Sequence, residues 1–192
     1  MPFRPEFREA LTLLATAVQR LQARGLEAPI LVGGAAVELF TGGQVTSGDF
    51  DFVSASQDQF FAELLTLGFI RPQGPGWLTR SLLHPELGFG VQVVSGQLMD
   101  GRADRSRVRL LAIDDSRETR VIACEDLIAD RMAQALATRQ IREDMRNQAV
   151  RLYQLAGSLD DAYLDRRIRT ETGDVASLET LREWLANEPR QA

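Results

Sequence analysis

Residues 30–53 read ILVGGAAVELFTGGQVTSGDFDFV, and two apolar runs inside this stretch set the architecture. The first reads as a short buried strand from Pro29 to Val32. Gly33 and Gly34 then open a short helix, Ala35 to Phe40. The second run, Phe50, Phe52 and Val53, reads as another strand and carries Asp49 and Asp51 on alternate positions. Alternate residues of a strand point to one face, so the two carboxylates project side by side. Adjacent anions repel unless a cation sits between them, and a divalent metal is the usual answer. Paired glycines let backbone amides approach an anionic group at a helix N-terminus. Metal-binding acids beside a phosphate cradle point to nucleotide chemistry. The plain structural alternatives are a ligand-free strand-to-helix turn at the glycines and solvated acids on an exposed sheet face.

Outward from this stretch, the pattern separates into two parts. Before it, Phe7, Ala10, Leu11, Leu14, Val18 and Leu21 recur at helical spacing over 6–24, and Gly25 ends the run. After it, Ser56 is placed to cap a helix through about Leu67, stopped by Gly68. From Phe69 to Val94 short β-like runs alternate with Gly74-Pro75-Gly76, His84-Pro85 and Gly88. Phe89–Val94 and Val108–Ile113 read as strands, joined by a polar loop from Gly96 to Arg107. Beyond Val121 the chain turns helical. Glu125 and Asp126 supply acidic first-turn chemistry, and Leu127, Ile128, Met132, Ala135 and Leu136 form an apolar face. Met145, Ala149, Leu152 and Ala156 mark the next helix, ended by Gly157. Two more are expected near 160–170 and 175–187, the last lined by Leu178, Leu181 and Leu185. The expectation is an α/β (α+β) core over 1–120, built on a small mixed β-sheet flanked by helices, with a C-terminal helical lobe over 121–192.

At 192 residues a real core is within reach, and 44% hydrophobic with 26% charged residues is ordinary for a globular chain. The apolar runs fall well short of the roughly 20 residues needed to cross a bilayer. The N-terminus is polar and mixed in charge, unlike a secretory signal, so a cytoplasmic location with no membrane partner is expected. Cys124 is the single cysteine, which excludes an internal disulfide and a cysteine zinc site. A net charge of −5 argues against a chain-wide nucleic-acid footprint. All 22 basic residues are arginine, which removes Schiff-base chemistry and a P-loop lysine from consideration. The lone His84, before a proline, is expected at a surface or turn.

Gly33-Gly34-Ala35-Ala36, followed by Ser47-Gly48-Asp49-Phe50-Asp51-Phe52 in a strand–helix–strand context, resembles the first motif of the DNA polymerase beta-like nucleotidyltransferase superfamily. The chain looks most like the small bacterial proteins related to abortive-infection type IV toxin nucleotidyltransferases. The downstream Glu125-Asp126-Leu127-Ile128-Ala129-Asp130-Arg131-Met132 and Arg142-Glu143-Asp144 also resemble that group, in which the Arg131 position is commonly lysine. The resemblance covers about residues 28–53 and 119–155, and the gap from Gly34 to Asp49 is a little longer than the group's usual one. It implies transfer of a nucleoside monophosphate from an NTP to a hydroxyl acceptor, with Mg²⁺ (or Mn²⁺) held by Asp49 and Asp51. It further implies phosphate contacts from Gly33, Gly34, Ser47 and Arg131. Asp144 would orient the acceptor, act as base, or only pair with an arginine.

One departure bears on catalysis. Catalytic members of the superfamily usually carry a third carboxylate on a later central strand, and Gln92 stands at the matching place in Phe89–Val94. An amide cannot deprotonate a hydroxyl. Three readings stay open: one metal held by two acids, replacement by Asp144, Glu86 or Asp100, or a degenerate protein that binds nucleotide or a protein partner without catalysing. The acceptor (RNA, protein or small molecule) is not legible. Arg102, Arg105, Arg107 and Arg109 form either a basic strip for RNA or solvated charges on a loop and edge strand. The helical lobe is free to carry an antitoxin or a second copy of the chain.

Overall fold

A computed structural model describes residues 3–72 and 81–188, arranged in two compact units, Met1–Ile122 and Ala123–Ala192. The Gly74-Pro75-Gly76 turn lies outside the described residues. Among the described residues no helix is long and apolar enough to cross a membrane.

The first unit is built on a mixed six-stranded sheet. Helix α1 (Pro5–Ala23) starts with Pro5 in its first turn, where a missing N–H costs nothing, and ends before Gly25 at φ 73°. Strand β1 (Ile30–Val32) leads directly into α2 (Gly33–Phe40), and β2 is Asp49–Val53. Helix α3 (Gln57–Thr66) follows, with Ser56 at its N-cap position but making no side-chain cap bond. Strands β3 (Ser81–His84) and β4 (Phe89–Ser95) form a hairpin. The expected polar loop holds a turn at Leu98–Gly101, with Met99 and Asp100 left-handed at φ 48° and 52°, and a 3₁₀ turn at Arg105–Arg107. Strands β5 (Arg109–Ala112) and β6 (Glu118–Val121) complete the sheet.

Spatial order is β3-β4-β2-β1-β6-β5, with β1/β6 and β2/β4 parallel and the other pairs antiparallel. Strand β6 has no counterpart in the sequence reading. Its four residues, Glu-Thr-Arg-Val, look polar, yet Thr119 and Val121 alternate inward and are buried. The alternation along β2 is decisive. Phe50 and Phe52 are fully buried, whereas Asp49 is exposed and Asp51 half-buried. The phenylalanines carry the core: Phe7 of α1 stacks on Phe50 with ring centroids 5.1 Å apart, and Phe60 of α3 meets Phe52 edge-on at 5.0 Å. Truncating one such ring to alanine costs about 3–5 kcal/mol. That burial holds the opposite alternation, the acids, on the other face.

His84 departs from expectation in one respect. It does serve a turn, its Nδ1 accepting the Leu87 amide at 3.3 Å, but it is 8% exposed and meets Phe69 edge-on rather than lying at the surface.

The second unit is helical: α4 (Cys124–Leu136), α5 (Glu143–Leu155), α6 (Asp161–Thr172) and α7 (Leu178–Ala186). Glu125 and Asp126 stand in the first turn of α4, as the sequence reading had them, and both are buried. Glu125 accepts the Asp160 amide, and Asp126 accepts the Tyr163 hydroxyl at 3.0 Å and Arg167 Nε at 2.5 Å. Arg167 is itself buried and also pairs with Glu171 at 2.6 Å. Burial pushes the Asp126 carboxyl above its usual range, against the pull of Arg167 and Tyr163. The buried Asp126 is compensated by Tyr163 and Arg167, both from α6.

Candidate active site

Register places the acids. Asp51 lies opposite Val32 of β1 on one side and Gln92 of β4 on the other, and Asp49 lies opposite Gly90. Gln92 Nε2 donates to Asp51 Oδ1 at 2.5 Å. The amide therefore stands beside the acid pair, at the position where a third carboxylate was expected, and fixes one oxygen of Asp51.

Three glycines make the room these groups occupy. Gly33 begins α2 at φ 66°, a region that strains any side-chain-bearing residue, and a Cβ there would overlap the Asp51 carboxylate. A Cβ on Gly90 would overlap Asp49 in the same way. A Cβ on Gly34 would come within 2.7 Å of Ser47 Oγ. The N-terminus of α2 thus meets Asp51 and Ser47 at backbone distance. Val32, at its N-cap position, supplies no side-chain cap, and the first turn has no acidic residue, which leaves the positive end of the helix suited to an anion.

Ser47 is held as tightly as it is placed. Its hydroxyl donates to the Asp49 carbonyl at 2.9 Å and accepts the Asp49 amide at 3.3 Å. Its own amide donates to Glu38 Oε2 at 2.6 Å, and its carbonyl accepts from Arg4 at 2.7 Å. Thr41, also buried, braces the preceding turn through Val37 and Val45. Sequence reasoning missed Glu38 and Arg4. The available signal was one acid in the otherwise apolar Ala35–Phe40 run, which has no reason to be there unless it is paired.

The donor set was tested against the implied metal. Carboxylate oxygens of Asp49 and Asp51 are hard ligands of the kind Mg²⁺ and Mn²⁺ take, and glycines clear the space around both. Among the described residues no group of three His, Cys, Asp or Glu stands together, so neither Glu86 nor Asp100 completes the set. Two acids alone fall short of a two-metal clamp.

Arg131 and Asp144 belong to the second unit. Arg131 is 6% exposed, and its guanidinium pairs with Asp130 at 2.7 Å and reaches Gln148 at 3.4 Å. Asp144 is exposed and pairs with Arg142 at 2.9 Å, a hydrogen bond that holds its carboxyl below the usual range. A carboxylate so held is a weaker base. In the first unit, Arg102 pairs with Asp100, Arg105 with Glu27 and Arg107 with Asp104, while Arg109 lies over the Phe40 ring. These pairs favour the reading of the arginines as locally neutralised surface charge.

No family model matches the sequence, and no curated protein matches it. Solved structures do. The chain has the fold of nucleotidyltransferase-like proteins. It is similar to an antigenic nucleotidyltransferase-like protein from Paracoccidioides brasiliensis, at 16% identity and TM-score 0.59, covering 98% of this chain and 96% of that one. It is also similar to the antibiotic-resistance factor ANT(2'')-Ia, at 17% identity and TM-score 0.57 over 91% of this chain and 97% of that one. A second structure of that factor, in complex with adenylyl-2''-tobramycin, matches at 14% identity and TM-score 0.55 over 88% and 98%. At such identities the likeness is one of fold.

Proposed function

We propose that the chain is a metal-dependent nucleotidyltransferase that moves a nucleoside monophosphate from an NTP to a hydroxyl acceptor. The observation that carries the reading is the meeting of Asp49 and Asp51 on one strand face with the glycine-opened N-terminus of α2. Such transfer needs charge neutralisation and positioning more than covalent help from protein. Asp49 and Asp51 would hold Mg²⁺ or Mn²⁺, which when bound supplies positive charge to phosphate oxygens. The α2 amides and the Ser47 hydroxyl would orient the phosphates. The acceptor oxygen would bond to the α-phosphorus as the bond to the bridging oxygen breaks, releasing pyrophosphate, with the hydroxyl proton passing to solvent. The proposal rests on first-unit residues alone. A small-molecule hydroxyl is the acceptor class suggested by the neighbour found with an adenylylated tobramycin.

Gln92 favours a second reading, a nucleotide-binding protein that no longer catalyses, because an amide cannot take the acceptor proton. Incubation with labelled NTPs, Mn²⁺ and RNA, cell protein or small hydroxyl compounds separates the two. Transfer that disappears in Asp49→Ala and in Asp51→Ala is expected. NTP binding without transfer selects the second reading, and no metal-dependent thermal shift by any NTP rejects both.

A further inference from the structure

Glu38 has no exposed surface, although it sits in an apolar helix, so its charge has to be compensated inside the fold. The compensation comes from Arg4, 34 residues earlier, whose Nη2 donates to Glu38 Oε2 at 3.0 Å. The same nitrogen donates to the Ser47 carbonyl at 2.7 Å, while the Ser47 amide donates to Glu38 Oε2 at 2.6 Å. One ion pair therefore takes both backbone polar groups of Ser47. The guanidinium is itself seated over aromatic rings, 5.4 Å from the Phe89 centroid and 6.0 Å from that of Phe7. Those rings pack against Phe50, on the face of β2 opposite the acids.

We propose that Arg4 and Glu38 are positioning residues for the phosphate side of the site, fixing the Ser47 hydroxyl over Gly34 and the approach of the chain to Asp49. The inference rests on the nucleotide reading above. Ser47 Oγ is bonded to the Asp49 backbone and stands against Gly34, so a displaced Ser47 moves the first acid and the helix N-terminus apart. Arg4 is 43% exposed while Glu38 is buried, so losing Arg4 also leaves a buried carboxylate without its cation and costs some stability, which the thermal midpoint reads. Its effect on the site is through geometry, because binding groups work only when held close to the productive arrangement.

The test titrates ATP with Mn²⁺ into the full chain and into Arg4→Gln, Glu38→Gln and Arg20→Gln, with a thermal midpoint for each. Arg20→Gln removes an arginine of similar exposure, paired with Glu63, that touches none of the site residues. The expected result, read at a temperature below every midpoint so that all variants are folded, is at least fivefold weaker binding in Arg4→Gln, while Arg20→Gln keeps the wild-type affinity. Glu38→Gln keeps an acceptor for the Ser47 amide but loses the charge that holds Arg4, and it is expected to weaken binding as well. If the wild type binds and Arg4→Gln binds equally, or Arg20→Gln weakens binding as much, the positioning role is overturned while the nucleotide reading stands. If the wild type binds no NTP, both fall.

Discussion

Gln92 concentrates the chemistry of the site into one side chain. An aspartate there would add a third anion beside Asp49 and Asp51, where the amide instead donates a hydrogen bond to Asp51. Without a cation, three clustered carboxylates repel; with one, the extra oxygen is a further hard ligand. Gln92→Asp is therefore expected to lower the thermal midpoint in chelator and to raise it with added Mn²⁺ by more than the wild type gains. Equal Mn²⁺ dependence in the two proteins would detach Gln92 from the metal site. At this scale the sequence was informative where partners are neighbours in the chain. The glycine pair and the alternate acids announce themselves by spacing alone. Arg4 and Glu38 did not, because their meeting depends on α1 folding back across the sheet, and no local pattern encodes that.

Among elements, the α4–α6 pairing shows how a helix opening on two acids becomes interior. Asp126 and Arg167 are 41 residues apart and both essentially buried. Removing the cation leaves a charge that must stay buried or take up a proton, so Arg167→Met is expected to cost about 3–5 kcal/mol in denaturant unfolding. The double change Asp126→Leu with Arg167→Met is expected to cost less than Arg167→Met alone, since it removes the orphan along with its partner. Acidic residues at a helix start read as macrodipole chemistry from sequence, and both do stand in the first turn of α4; that Asp126 is also buried against a distant arginine is not legible locally. Strand β6 was hidden for a related reason. Its four residues are too few to show a period, and it is strand because β1 and β5 pair with it on either side.

For the whole molecule, acid sensitivity follows from carboxylates that arginines hold below their ordinary range. Arg117 does this to Asp114, Arg142 to Asp144, and Arg169 with the Leu178 amide to Asp165. A depressed carboxyl stabilises the fold above its unfolded pKa of about 3.9, and the contribution is lost as pH falls through the folded value. Asp126 works the other way: its raised pKa lets the folded state bind a proton first, so its burial cost eases as pH falls toward the ordinary range. Stability to denaturant is thus expected to hold down to about pH 4 and to decline below it, with Asp165→Asn flattening part of that decline. A decline beginning near neutrality would contradict these assignments.

The order of the strands has a last consequence. Strand β2 lies inside the sheet, with β4 and β1 as hydrogen-bonded neighbours, while β3 and β5 take the edges. Insertions and drift in a lineage accumulate where backbone is unshared, at margins and loops. The pair of acids is thereby insulated from change that freely rewrites the periphery. Chains that have only 14–17% of their residues in common with this one can thus share its fold.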